Sequence, residues 1–174
     1  MASPRAAIAR IAAAVPIVAC LSASTSPAWA IDADGSLQDA KAATARYHSI
    51  VQAEKAGYIL GSPCISSPSG SMGFHYENPQ LMADPAIDAE QPEFLLYAPG
   101  PSGRLQLVGI EYWKADADQN VTTTSDRPSL FGRPFDGPMP GHHPGMPIHY
   151  DLHVWLWQDN PTGMFAPFNP TVTC

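Results

Sequence analysis

The chain has 174 residues, with 9 Lys and Arg against 16 Asp and Glu, and a formal net charge of −7. Phosphate recognition requires clustered cations, so this composition excludes a dedicated nucleic-acid binder. It is equally unsuited to an anionic lipid surface, and its length suits one domain with its own core.

Residues 1–30 read as an export signal. Arg5 and Arg10 form a positive start, and Ile11–Ala19 is an apolar run too short to span a bilayer. Ala28-Trp29-Ala30 fits the small-x-small rule for cleavage after Ala30. Ile17-Val18-Ala19-Cys20 looks like a lipobox and keeps a second route open, a lipoprotein anchored at Cys20. Either route predicts a secreted or periplasmic protein with no transmembrane span and a single exported domain over residues 31–174. After cleavage at Ala30, Cys64 and Cys174 are the cysteines left, and an oxidising compartment predicts that they form a disulfide.

Ser36-Leu37-Gln38-Asp39 has the chemistry of a helix start, and apolar residues then recur at helical spacing until Gly57. The expectation is one helix over about 36–56. His48 lies near its exposed side. Residues 59–73 are rich in Gly, Pro and Ser and read as a loop. Met72–Glu77 is strand-like, ended by Asn78-Pro79. Phe94–Ala98 and Leu105–Lys114 form a hairpin around Pro99-Gly100-Pro101-Ser102-Gly103. Residues 115–147 are an extended Asp-, Thr-, Pro- and Gly-rich loop, and Ile148–Gln158 alternates like a final strand. The predicted fold class is α+β: one N-terminal helix packed on an antiparallel, roll-like sheet of about four strands, with a long Pro/Gly-rich loop before the last strand.

Period-two alternation then sorts the side chains. Phe74, Tyr76, Val108, Ile110, Tyr112, Tyr150, Leu152, Val154 and Leu156 share the face that the helix covers. The opposite face carries His75, Glu77, Leu107, Gly109, Glu111, Trp113, His149, Asp151, His153, Trp155 and Trp157. A plain solvent face has Lys, Thr and Glu; this one has imidazoles, carboxylates and tryptophans.

Three constellations follow. His75, Glu111, His149 and His153, with Asp151 as a spare, are ligands of the kind that hold zinc, copper, iron or manganese. Residues i and i+4 on a strand lie roughly 13 Å apart, so His149 and His153 do not easily share one ion. His75, Glu111 and His153 sit on different strands and make the better set; His149 is placed to meet His142 or His143. The simpler explanation is a set of histidines hydrogen-bonded to their neighbours on a half-buried sheet. Second, Met139-Pro-Gly-His142-His143-Pro-Gly-Met146 joins thioethers to imidazoles, a set suited to Cu(I), or is merely a proline-rich loop packed on the tryptophans. Third, Trp113, Trp155 and Trp157, with Tyr58 and Phe135, can line a small-ligand pocket or pack under the loop and tail. The chain has no Gly-rich phosphate loop, no Gly-x-Ser-x-Gly elbow and no His-Glu-x-x-His.

Gly73-Phe-His-Tyr-Glu-Asn-Pro79, Leu95-Leu-Tyr97, Val108-Gly-Ile-Glu-Tyr112 and His149-Tyr-Asp-Leu-His-Val-Trp155 resemble a family of secreted bacterial proteins of unassigned function. The resemblance spans most of residues 31–174 and implies that these segments share one domain. It carries no catalytic residue over. The expected function is an exported protein that binds a small ligand or a metal ion, divalent or copper, on its His/Trp-bearing sheet face. An extracytoplasmic metal-dependent enzyme and a metal-free structural or interaction domain are the alternatives. Whether the chain is an enzyme, and its oligomeric state, are left open at this point.

Overall fold

The computed structural model describes residues 28–174, with side chains from Ser36 onward. Most of the expected export signal, including the alternative anchor at Cys20, lies outside the described residues.

Two helices, α1 (Ala28–Thr44) and α2 (Ile50–Lys55), flank a 3-10 turn at Ala45–His48. The single helix expected over 36–56 therefore starts earlier and is broken in the middle. The break has local causes. Thr44 turns its hydroxyl back onto the carbonyl of Ala40 at 2.7 Å, a bond that bends helices. The Tyr97 hydroxyl donates to the carbonyl of Tyr47, and Ser49 is extended.

Nine strands and a third short helix follow: β1 (Ile59–Leu60), β2 (Ile65–Ser67), β3 (Gly70–Glu77), α3 (Pro79–Met82), β4 (Phe94–Pro99), β5 (Leu105–Ala115), β6 (Ser129–Leu130), β7 (Arg133–Pro134), β8 (Asp136–Met139) and β9 (His149–Val154). A seven-stranded antiparallel sheet runs β1-β3-β4-β5-β9-β8, with β2 also paired to β3; β6 and β7 form a separate ribbon. This corrects the expected architecture of one helix on about four strands. The unforeseen strands are two to four residues long, and β8 contains both Gly137 and Pro138. Proline is tolerated at a sheet edge, where one row of amides has no ladder partner, but it hides the alternation that signals a strand. Asn78-Pro79 ends β3 as expected and also opens α3, with the Asn78 side chain accepting from the amides of Gln80 and Leu81.

Ala40, Tyr47 and Ala53 of the helical segment pack in one apolar cluster with Ile110, Tyr112, Tyr150, Leu152 and Val154. Burying each large aliphatic side chain here contributes about 1.5–3 kcal/mol. The face assignment needs one correction. The pairing of β4 with β5 shifts register between Leu96 and Tyr97, so Tyr97 faces Leu107 while Leu96 faces Gly109. The extra residue reverses the alternation beyond it. Leu107 joins the helix-side core, and Val108 joins Leu96, Ala98, Trp155 and Val172 on the opposite side.

The C-terminal tail closes that second side. It is held by a bridge between Ser71 and Asn169, by the Trp155 indole donating to the Ala166 carbonyl at 2.7 Å, and by a Cys64–Cys174 disulfide with Cα atoms 5.6 Å apart. Gly73 sits where β2 and β3 cross β4: its φ is +91°, and a Cβ there would lie 2.4 Å from the Tyr97 carbonyl oxygen. Only glycine fits such a crossing.

Candidate metal centre

Histidine and glutamate on three strands meet on the sheet face away from the helices. Glu111 on β5 and His153 on β9 are direct cross-strand partners. His75 on β3 is separated from β5 by β4, a gap of roughly 9.6 Å at the usual strand spacing. The two long side chains span it: His75 Nε2 lies 3.2 Å from Glu111 Oε2. His153 Nε2 lies 3.6 Å from the same oxygen. All three ligand atoms fall within 4.8 Å of one another, and all three residues are buried. Tetrahedral ligands ~2.0–2.1 Å from a zinc ion sit ~3.3 Å apart, so the two measured edges match a shared cation.

The surroundings orient the donors. Ser62 Oγ is 3.1 Å from His75 Nδ1, which leaves Nε2 aimed at Glu111. Asp151, two residues before His153 on the same face, places Oδ1 3.7 Å from His153 Nδ1. A hydrogen-bonded group behind a metal-binding imidazole fixes ring orientation and raises ligand basicity; Ser62 is within that reach of His75, and Asp151 stands just beyond it behind His153.

The simpler explanation, a set of histidines hydrogen-bonded to their neighbours, is incomplete at His153. Its contacts at 3.6 and 3.7 Å exceed hydrogen-bond length, and both of its ring nitrogens are buried without a hydrogen-bond partner. Asp151 Oδ1 is also buried and unpartnered, and Glu111 Oε2, with His75 Nε2 3.2 Å away as an ion-pair contact, makes no hydrogen bond of good geometry. Each such group costs about 1–3 kcal/mol, and an ion at the centre relieves those that point to it.

Charge around the three groups is strongly coupled. Burial opposes ionisation of Glu111, but His153, and then His75, hold its carboxyl well below the usual carboxylate range. Burial likewise opposes protonation of His153, but Glu111 foremost, and then Asp151, pushes its imidazole up to about 9. Asp136, across from Asp151, is raised by burial and by the neighbouring Asp151 charge.

The other expected site residues are placed as follows. His149 stays outside the triad, as its strand spacing requires. It stacks on Trp113 with ring centres 5.9 Å apart, and meets the edge of His142 at 4.9 Å. Burial depresses its basicity. His142, His143, Met139 and Met146 line a cleft together with the triad, so the His/Met loop is a wall of that cleft and not a separate stretch. The three tryptophans do not act together. Trp113 lies against His149, and Trp155 is covered by the tail. Trp157 leaves the face altogether, because β9 ends at Val154 and the amides of Trp157 and Gln158 bond the Val108 carbonyl. Its ring sits 4.4 Å from His48 and under Lys41. Tyr58 and Phe135 belong to the helix-side core. Ser62 was not foreseen as a partner of His75; it lies in a Gly/Pro/Ser segment where one serine looks like the next.

The cleft has a volume of about 870 Å³, and all three buried triad residues line it. An ion held by these three residues would have only three protein ligands, and all three residues line the cleft. Among the described residues no helix is long and apolar enough to cross a membrane, and the disulfide suits an oxidising compartment. No family model, curated protein or solved structure matches the chain.

Proposed function

We propose that this is an exported protein that binds one divalent transition-metal ion through His75, Glu111 and His153 and presents the ion to the cleft above. The observation that carries the reading is the pair of buried, unpartnered nitrogens of His153 beside a Glu111 oxygen that makes no hydrogen bond of good geometry. Two imidazoles and a carboxylate suit zinc, iron or manganese at a site with open positions. The thioethers of Met139 and Met146 belong to the cleft wall, which sets Cu(I) behind these metals. A metal-dependent enzyme is the second reading. It is favoured by a set of only three protein ligands lining a cleft of about 870 Å³, where a bound ion would activate water or polarise a substrate oxygen.

The test is calorimetric titration of metal-stripped protein with Zn(II) across pH. Metal binds neutral imidazole, so the proton on His153 must leave. With that imidazole raised to about 9, the apparent affinity increases with pH by roughly tenfold per unit from about pH 7 towards 9. A site of ordinary histidines would level off above ~6.5. His48→Ala, on the far side of the sheet, leaves the titration unchanged. Absence of binding at micromolar metal, or binding equally affected by His48→Ala, would overturn the reading.

A further inference from the structure

We propose that the cleft over the metal centre takes an uncharged, aromatic small molecule whose single neutral nitrogen or oxygen donor completes the coordination of the ion; this rests on the metal reading above. The shape and charge of the cleft define this ligand class. The walls are Ile65 on β2, Met72 on β3, Phe94 on β4, Met139 on β8, Met146 in the loop that follows, and Phe168 in the tail. Four strands and the disulfide-tethered tail thus build an apolar enclosure around the polar triad. A volume of about 870 Å³ admits a drug-sized ligand, for which an apolar cleft with a few convergent polar groups is the usual receptor.

Charge narrows the class. Among the described residues no Lys or Arg lines the cleft, whereas Glu77, Asp136 and Asp151 do, beside Glu111 itself. Carboxylate, phosphate and sulfate ligands would meet these four carboxylates, with only the exposed His142 and His143 rings as further cationic partners beside the metal. An uncharged ligand avoids that penalty. The three methionines favour an aromatic one, because thioethers adapt their shape and make favourable contacts with ring edges. The donor atom is confined to the triad, since the metal offers the free position there.

Cobalt(II)-loaded protein tests this, because the cobalt visible spectrum responds to a new ligand. The probes are imidazole, 4-phenylimidazole and benzoate. The first two share a donor and differ by one ring; the third carries a ring and a negative charge. The expected result is that 4-phenylimidazole binds at least about tenfold tighter than imidazole, through the apolar area that its phenyl ring buries. Benzoate gives no spectral change at the same concentrations. Met146→Ala combined with Phe168→Ala removes the preference for the phenyl compound while cobalt uptake and imidazole affinity persist. Equal affinities for the two imidazoles, or benzoate binding as tightly as 4-phenylimidazole, would overturn the proposal and leave the metal centre standing. Failure to take up cobalt at all would instead remove the metal reading, and this inference with it.

Discussion

His153→Ala abolishes metal binding, weakening it by more than about 100-fold, the upper range for losing a mere supporting residue behind a ligand. Within the triad, His75 has Ser62 as a partner, whereas both buried ring nitrogens of His153 have none, so the loss falls on the ion and not on a neighbouring bond. It also strands the Glu111 carboxylate in the interior with His75 alone. Removing one partner of a buried charge pair costs about 3–5 kcal/mol, so the metal-free variant is less stable as well. Glu111→Gln separates the two effects. It keeps the side-chain shape and removes the buried charge, so metal affinity falls while the fold suffers less. Ser62→Ala gives a graded control: it leaves all three ligands in place but frees the His75 ring, and the expected loss is about 10-fold. Calorimetry for affinity and thermal unfolding for stability read these changes out. Unchanged binding in His153→Ala would show that the ion sits elsewhere.

The second large effect is on stability. Removing the Cys64–Cys174 disulfide by double substitution to alanine lowers the unfolding free energy by up to about 4.7 kcal/mol, the chain-entropy figure for a loop near 100 residues. The two cysteines are 110 residues apart in the chain, so nearly every described strand lies inside the loop. The effect reaches the site through the tail. Pro167 and Phe168 line the cleft, and Asn169 bridges to Ser71 beside them. A loosened tail opens the cleft wall without touching His75, Glu111 or His153. Denaturant unfolding is expected to shift its midpoint strongly, while metal stoichiometry persists below the transition. A midpoint that does not move would mean that the tail is held by its hydrogen bonds and packing alone.

The site was legible in the sequence to the extent that it depends on alternation. Period two along His149–Val154 put His149, Asp151 and His153 on one face, and the same rule put His75 and Glu111 there. Strand rise made it difficult for His149 to share an ion with His153, and in the structure the His149 ring meets the edge of His142. Features that break alternation were hidden. The bulge at Leu96 and Tyr97 exchanges the faces of Leu107 and Val108, with only Gly109 nearby as a sign. β8 escaped notice because Gly137 and Pro138 carry no strand pattern, yet its pairing with β9 brings Met139 and the His/Met loop over the triad. Trp157 was misplaced because backbone bonds to Val108, invisible in side-chain patterning, end the strand three residues before it. The helix was recognisable by its period, but its break at Tyr47 depends on a hydroxyl fifty residues away, on Tyr97.

If His75, Glu111 and His153 hold one metal ion, elemental analysis of untagged protein prepared without chelators is the decisive measurement. The expected result is one equivalent of a divalent transition metal per chain in the parent protein and a trace at most in His153→Ala. A folded parent protein without stoichiometric metal that also fails to take up zinc, iron or manganese would contradict it, as would the same metal content in both proteins.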